Sequence, residues 1–86
     1  MSNILATYPV SEREALDAYE SLTFRQREVL RLVGEGYTSA QIAEELEISP
    51  RTVDMHRRRA LRRLGLRGQT ALLRYAVQRR LMIEHE

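Results

Sequence analysis

Residues 38–64 read TSAQIAEELEISPRTVDMHRRRALRRL, and this stretch decides the fold. Thr38 and Gln41 have the spacing of a capping box, which predicts a helix of about two turns. Ser49 followed by Pro50 predicts the start of a second helix, because serine is a good N-cap and proline is favoured at the first helical position. The second helix is predicted over residues 50–64, where a glycine follows it as a stop signal.

The second of these helices has an apolar side and a cationic side when it is placed on a helical wheel. The side predicted to face the core holds Val53, His56, Ala60, Leu61 and Leu64. The opposite side holds Arg51, Met55, Arg58 and Arg62, with Asp54 and Arg59 on its flanks. Two helices joined by a tight turn, the second apolar inward and cationic outward, form the helix-turn-helix that sets a helix into the major groove of DNA.

The flanking sequence predicts further helices and no strand, so the expected fold class is all-α. Capping-box spacings and apolar periodicity predict helices over residues 11–21 and 24–35, and residues 69–82 are rich in helix formers. We therefore expect a four-helix domain with an additional N-terminal helix. The chain divides into a leader and N-terminal helix (residues 1–21), the helix-turn-helix domain (22–82) and a tail (83–86).

The composition limits the function classes. A chain of 86 residues has one small core, and the absence of cysteine excludes disulfides and thiolate metal sites. Neither a membrane-spanning apolar run nor a signal-peptide pattern is present, so we expect a cytoplasmic protein with no membrane partner. Glycine-rich phosphate loops, nucleophile motifs and histidine–acid clusters with ligand spacing are missing. We expect no enzyme, no cofactor and no metal site.

Positive charge is concentrated in one segment of the chain. The net charge is only +2, but residues 51–80 hold ten arginines against one acid, Asp54. Residues 1–50 hold four arginines against nine acids. Because a guanidinium grips phosphate and guanine edges bidentately, the clustering favours a polyanionic partner. A solvated charged face is the alternative interpretation, and a composition bias explains equally well why lysine is absent.

The run from Leu22 to Leu81 resembles the LuxR-type (GerE-like, FixJ/NarL-like) DNA-binding domain. The residues that carry the resemblance are Leu22, Thr23, Arg25, Arg27, Glu28, Val29, Gly36, Ile42, Ala43, Leu46, Ile48, Ser49, Thr52, Val53, His56, Leu64, Gly65, Tyr75 and Ala76. The resemblance implies a four-helix domain that reads bases with the N-terminal half of its third helix and dimerises through its fourth. It implies a transcription regulator that binds double-stranded DNA in a sequence-specific manner.

By position, the base-reading sites of that family fall on Asp54, Met55 and Arg58. Asp54 departs from the family, in which lysine or another polar residue is common at this position. A carboxylate accepts a hydrogen bond from cytosine N4 but repels phosphates, and the alternative is that Asp54 pairs with Arg57 or Arg58. The candidate DNA contacts are Thr38, Ser39, Ser49, Arg51, Thr52, Asp54, Met55, Arg57, Arg58, Arg59 and Arg62.

Two residues of the motif have structural interpretations. His56 lies on the apolar side of its helix, so we expect a packed, hydrogen-bonded histidine rather than a ligand. Glu47 occupies the turn position where other helix-turn-helix families often place glycine. If Glu47 takes a positive φ, the cost is about 1 kcal/mol, which a small fold tolerates.

The last predicted helix has more apolar surface than one core contact uses. It carries two stripes, the first of Leu72, Tyr75 and Ala76 and the second of Leu73, Val77 and Leu81. The first stripe is sufficient to pack on the other three helices. The second is the predicted dimerisation surface, which makes a homodimer on DNA the expected assembly. The alternative is that the helix of residues 11–21 folds back and covers Leu73 and Val77.

Two other functions fit parts of the same pattern. A sigma-factor region-four module also pairs a helix-turn-helix with an arginine-rich helix, and RNA polymerase would then be a partner. The helix predicted after Gly68 argues against this module, and co-purification with core RNA polymerase would identify it. The second alternative is a protein-interaction module whose arginine face docks on an acidic partner. Saturable binding to a defined duplex separates that module from a DNA-binding domain.

Overall fold

The computed structural model describes residues 18–84, with side chains described from residue 18 to residue 80. Four helices follow one another in this range: α1 (Phe24–Gly34), α2 (Ser39–Leu46), α3 (Pro50–Leu64) and α4 (Gly68–Glu84). Residues 18–20 are also helical and belong to the predicted helix of residues 11–21; Ser21 lies in a turn, and residues 11–17 lie outside the described range. No strand occurs in residues 18–84, so the predicted all-α class is confirmed.

Local sequence signals set the helix starts. The side chains of Thr23 and Thr38 each accept a hydrogen bond from the backbone N–H of the glutamine three residues on. Each glutamine Oε1 in turn accepts one from the threonine N–H, which completes both predicted capping boxes. Ser49 accepts from the N–H of Thr52 at 3.1 Å, as the predicted N-cap of α3. Gly65 ends α3 in the left-handed conformation, at φ 69°. The predicted bounds differ from the observed ones by one or two residues.

The core lies around α1, which packs against α3 on one side and α4 on another. Its buried apolar residues are Leu22, Val29, Leu30, Leu32, Val33, Ile42, Ala43, Val53, Ala60, Leu64, Leu72 and Ala76. Ile42 of α2 and Val53 of α3 are fully buried, so the two helices of the motif are joined by apolar contact. Helix α4 is held by its predicted core stripe: Leu72 and Ala76 are buried, and Tyr75 packs against the cluster.

Helices α1 and α4 are in close contact at Gly34. A Cβ added to Gly34 would lie 2.8 Å from the carbonyl oxygen of Ala76 and 3.2 Å from its Cβ. Contacts under 3.0 Å to a backbone atom require a whole helix to move, because a backbone carbonyl has no rotamer to change. The glycine at this position is therefore a requirement of the α1–α4 packing.

Replacing Gly34 with alanine is expected to destabilise the fold although alanine is the better helix former. The gain in helix propensity is about 1 kcal/mol, whereas overpacking a core contact costs about 1–3 kcal/mol. We expect a net loss of stability, measured as a lower midpoint in thermal or urea denaturation. Adding Ala76→Gly should not restore stability, because the nearest atom is the Ala76 carbonyl oxygen. A variant at least as stable as the parent would contradict the close approach.

Candidate nucleic-acid interface

The turn between α2 and α3 fixes how α3 is held against α2. Glu47 adopts the left-handed conformation at φ 58° and ψ 46°, as anticipated for its position, and it is the non-glycine residue with positive φ in the described chain. The N–H of the next residue, Ile48, donates to the carbonyl of Ala43 at 3.0 Å, and the Ile48 side chain packs against the core. The turn is tight and anchored, so α3 has a fixed orientation on α2.

The outer face of α3 is cationic and open to solvent. Its exposed charged residues are Arg51, Asp54, Arg58, Arg59 and Arg62, while Thr52, Met55 and Arg57 are partly buried. Fifteen residues make α3 roughly 22 Å long at 1.5 Å per residue. A helix of this length presents about four turns to a groove, and arginines are spread along its exposed side.

The arginines of α3 do not all share one role. Arg63, on the flank of α3, donates from Nη1 to the carbonyl oxygen of Ser21 at 2.7 Å. Arg27 of α1 donates to the carbonyl oxygen of Glu20 at 2.8 Å and lies 5.0 Å from the centroid of the Tyr19 ring. These two guanidinium groups hold the backbone that leads into the domain. Arg63 is therefore a structural residue.

Asp54 is bonded to a serine and not to an arginine. Its Oδ1 accepts a hydrogen bond from Ser39 Oγ at 2.9 Å, and it forms no ion pair among the residues whose side chains are described. The predicted pairing with Arg57 or Arg58 is wrong. Ser39, at the start of α2, lies within hydrogen-bond distance of Asp54. This serine is the polar partner of Asp54 in place of an arginine.

Arg57 is joined to the same serine. Its Nη1 donates to Ser39 Oγ at 3.2 Å, and its Nε donates to Gln69 Oε1 at 2.8 Å. The four side chains Ser39, Asp54, Arg57 and Gln69 thus form one chain of hydrogen bonds, which we call the Ser39 relay. The relay joins the start of α2, the middle of α3 and the start of α4. Sequence analysis missed Gln69, because nothing local marks a contact twelve residues away.

The Ser39 relay lies beside a shallow groove of about 490 Å³. Its lining residues are Val33, Gly36, Tyr37, Thr38, Ser39, Asp54, Arg57, Gln69, Thr70 and Leu73. Four of the candidate DNA contacts are therefore brought to one place, although they come from two helices. The groove lining does not include Arg51, Met55, Arg58, Arg59 or Arg62.

The capping hydroxyls of Thr38 and Ser49 differ in whether their own protons are free to be donated. Thr38 Oγ1 accepts from the N–H of Gln41 at 3.2 Å, and among the described residues it has no acceptor for its own proton. Ser49 Oγ accepts from the N–H of Thr52 and lies 2.9 Å from Thr52 Oγ1. A phosphate oxygen only accepts hydrogen bonds, so Thr38 is the better placed donor.

His56 is partly buried, as its place on the inner side predicted. The predicted hydrogen bond is not found: Nδ1 is buried without a partner among the described residues. Burial lowers the pKa of His56 below its ordinary value, and the nearby guanidinium groups of Arg25 and Arg59 lower it further. His56 is therefore an uncharged packing residue near neutral pH, since its shifted pKa disfavours the protonated form.

The second apolar stripe of α4 is only partly described. Leu73 is 44% exposed, and Val77 is partly buried. The side chain of Leu81 lies outside the described residues, as does the segment of residues 11–17 that the alternative placed over Leu73 and Val77. The dimerisation surface stays a prediction.

Within residues 18–84, no helix combines the length and apolar character needed to cross a membrane.

Comparison with known proteins adds the family. The model of the bacterial regulatory proteins of the luxR family matches residues 20–76, well over half of the chain. The chain is also 35% identical over 66 residues to the oxygen regulatory protein NreC of Staphylococcus aureus strains JH9, JH1 and USA300. The matched segment is 77% of this chain but 30% of each relative, so the chain spans less than a third of their length.

No solved structure matches the chain significantly. The family match begins at the helical residues before α1 and ends within α4, at Ala76. It therefore includes both helices of the motif and the contact of α4 with the core. The chain belongs to the luxR family of bacterial regulatory proteins, and α1–α4 form the helix-turn-helix domain of that family.

Proposed function

We propose that this chain binds double-stranded DNA in a sequence-specific manner and regulates transcription, with α3 in the major groove. The observation that carries the proposal is the exposed side of α3, which has the four arginines Arg51, Arg58, Arg59 and Arg62 and a single acid, Asp54. The buried side of the same helix is held on α2 through an anchored turn. Such a helix enters the groove as a rigid body, without a folding cost on binding.

Base reading is assigned to Met55 and Arg58, in the middle of α3. Arg58 is exposed to solvent, and a guanidinium there can donate bidentately to guanine O6 and N7. Met55, one turn earlier, is partly buried and suits an apolar contact with a thymine methyl group. These two side chains supply the specificity in our proposal.

Phosphate contacts are assigned to both helices of the motif. Thr38 offers a hydroxyl proton at the N-terminus of α2, where the helix dipole favours an anion. Ser49 and Thr52 share one hydrogen bond at the start of α3, which leaves one hydroxyl proton of the pair for a phosphate. Arg51, Arg57, Arg59 and Arg62 add charge along the groove edges. Contacts of this kind fix the register on DNA and carry most of the salt dependence.

A second copy of the chain is the proposed partner on DNA. Leu73 is one of the two large apolar side chains of the described residues that are strongly exposed, and it lies on α4 beside Val77. An isologous contact through this side would pair two α3 helices for an inverted-repeat site, with half-sites roughly 34–36 Å apart. The contact is small, so dimerisation is expected mainly on DNA.

The proposed function is tested by titrating the full chain against duplexes enriched from random sequence. We expect saturable binding to the enriched duplex, tighter than to a shuffled duplex of equal length, with an affinity that falls as salt rises. Polyglutamate at equal charge concentration is the matched competitor, and we expect it to displace the duplex poorly. Equal binding to all duplexes, or displacement by polyglutamate, would favour a module for acidic partners instead.

A further inference from the structure

The hydroxyl of Ser39 is committed inside the protein. A serine hydroxyl has one proton to donate and two lone pairs that accept. The proton goes to Asp54 Oδ1 at 2.9 Å, and one lone pair receives Arg57 Nη1 at 3.2 Å. Since a phosphate oxygen can only accept, the Ser39 hydroxyl has nothing left to give it. The structure therefore removes this hydroxyl from the direct phosphate contacts.

These contacts hold Arg57 in place but use only some of its hydrogen-bond donors. Its guanidinium has five N–H donors, of which one on Nε goes to Gln69 and one on Nη1 goes to Ser39. Three N–H groups remain, including both on Nη2. A guanidinium fixed at two points loses little rotamer entropy when a phosphate binds the remaining donors. Arg57 is thus oriented in advance, at the edge of the motif where α2, α3 and α4 meet.

Asp54 lies at the other end of the same relay, where the surroundings stabilise its negative charge. Ser39 is the first residue of α2, so the carboxylate bonded to it lies near the helix N-terminus, whose dipole stabilises an anion. To accept a hydrogen bond from cytosine N4, a carboxylate would have to enter the groove. Its negative charge would then be repelled by the phosphates on either side. The bond to Ser39 supplies a different role for the acid.

We propose that Asp54 is a positioning residue that orients Arg57 through the Ser39 hydroxyl and does not read a base. The inference rests on the proposed DNA binding and concerns which residues determine its specificity. The Asp54 carboxylate holds the Ser39 proton, which turns the Ser39 lone pair toward Arg57 Nη1. Arg57 then makes a phosphate contact, and specificity stays with Met55 and Arg58.

The test compares variants in which the relay is cut with variants in which it is kept. Arg57→Ala is expected to lower the slope of log affinity against log salt by about one, because one phosphate contact is lost. Asp54→Ala and Ser39→Ala remove the acceptor and the bridging hydroxyl, so their slopes should fall toward that of Arg57→Ala. Asp54→Asn and Ser39→Thr keep the acceptor oxygen and the hydroxyl, and should keep the parental slope.

Asp54→Asn also serves as the charge control, since it removes the same charge as Asp54→Ala. Base preference is measured for each variant on duplexes substituted one base pair at a time, and we expect the parental ranking throughout. A changed preference at one base pair in either Asp54 variant would make Asp54 a base reader and overturn the inference. Equal slopes for Asp54→Ala and Asp54→Asn would overturn it too. If the parent binds no duplex, the proposed function itself fails.

Discussion

Alanine at position 58 is expected to weaken binding to the preferred duplex by about 1–3 kcal/mol, or roughly 5- to 150-fold, and to relax its base preference. Arg58 is exposed on the outer face of α3, one turn nearer the helix N-terminus than Arg62. A bidentate contact with guanine is lost in the variant, because alanine has no side-chain donor. Binding to shuffled duplexes should change much less.

Arg62→Ala is the matched control for that result. Arg62 is also exposed, has the same chemistry and lies one turn further along α3, nearer the C-terminus of the helix. We expect it to weaken all duplexes alike and to lower the salt slope by about one, as a phosphate contact does. Both affinities are measured by titration on a panel of duplexes with single base-pair changes. Parental affinity in both variants would show that this face of α3 does not meet DNA.

The double variant Leu73→Glu, Val77→Glu is expected to abolish cooperative binding to a duplex with two half-sites. Leu73 is 44% exposed in the described chain, so a charge there is tolerated by the monomer. In an isologous dimer each charge would face its own copy across an apolar contact, where like charges are unpaired and desolvated. Weak binding to a single half-site should remain, because α3 is unchanged.

Gln78→Glu is the control for added charge on α4, since Gln78 is exposed and no apolar side chain is lost. Circular dichroism and thermal melting show whether the double variant is folded, and titration on one-site and two-site duplexes measures cooperativity. If the double variant unfolds, the alternative in which the N-terminal helix covers Leu73 and Val77 is favoured. If it binds the two-site duplex as the parent does, α4 is not the dimer surface.

The helices could be predicted from the sequence because their signals are local. Thr23, Thr38 and Ser49 each act on a backbone N–H three residues away, so a cap can be recognised without knowing the fold. The inner and outer sides of α3 follow from helical periodicity in the same way. The turn residue Glu47 was singled out because other helix-turn-helix families often place glycine at its position, and it does take a positive φ.

The candidate DNA contacts could be named from the sequence but their roles could not. Periodicity placed Asp54 on the flank of α3, and nearness in sequence suggested Arg57 or Arg58 as its partner. The structure shows Ser39 there instead, fifteen residues away. A helical wheel describes one helix in isolation, so it omits the polar groups that a second helix brings to its flank. His56 shows the same limit, because periodicity predicted its burial but could not supply a hydrogen-bond partner.

By itself, the sequence determined the all-α class, the starts and ends of α1–α3, the apolar side of each helix and the family resemblance. These properties depend on residues within about four positions of one another or on fixed spacings along the chain. Only the tertiary structure decided the Ser39 relay, the use of Arg63 to hold Ser21 forty-two residues away, and the need for glycine at position 34. Each of these depends on a contact between helices, and packing distance is a property that no local pattern contains.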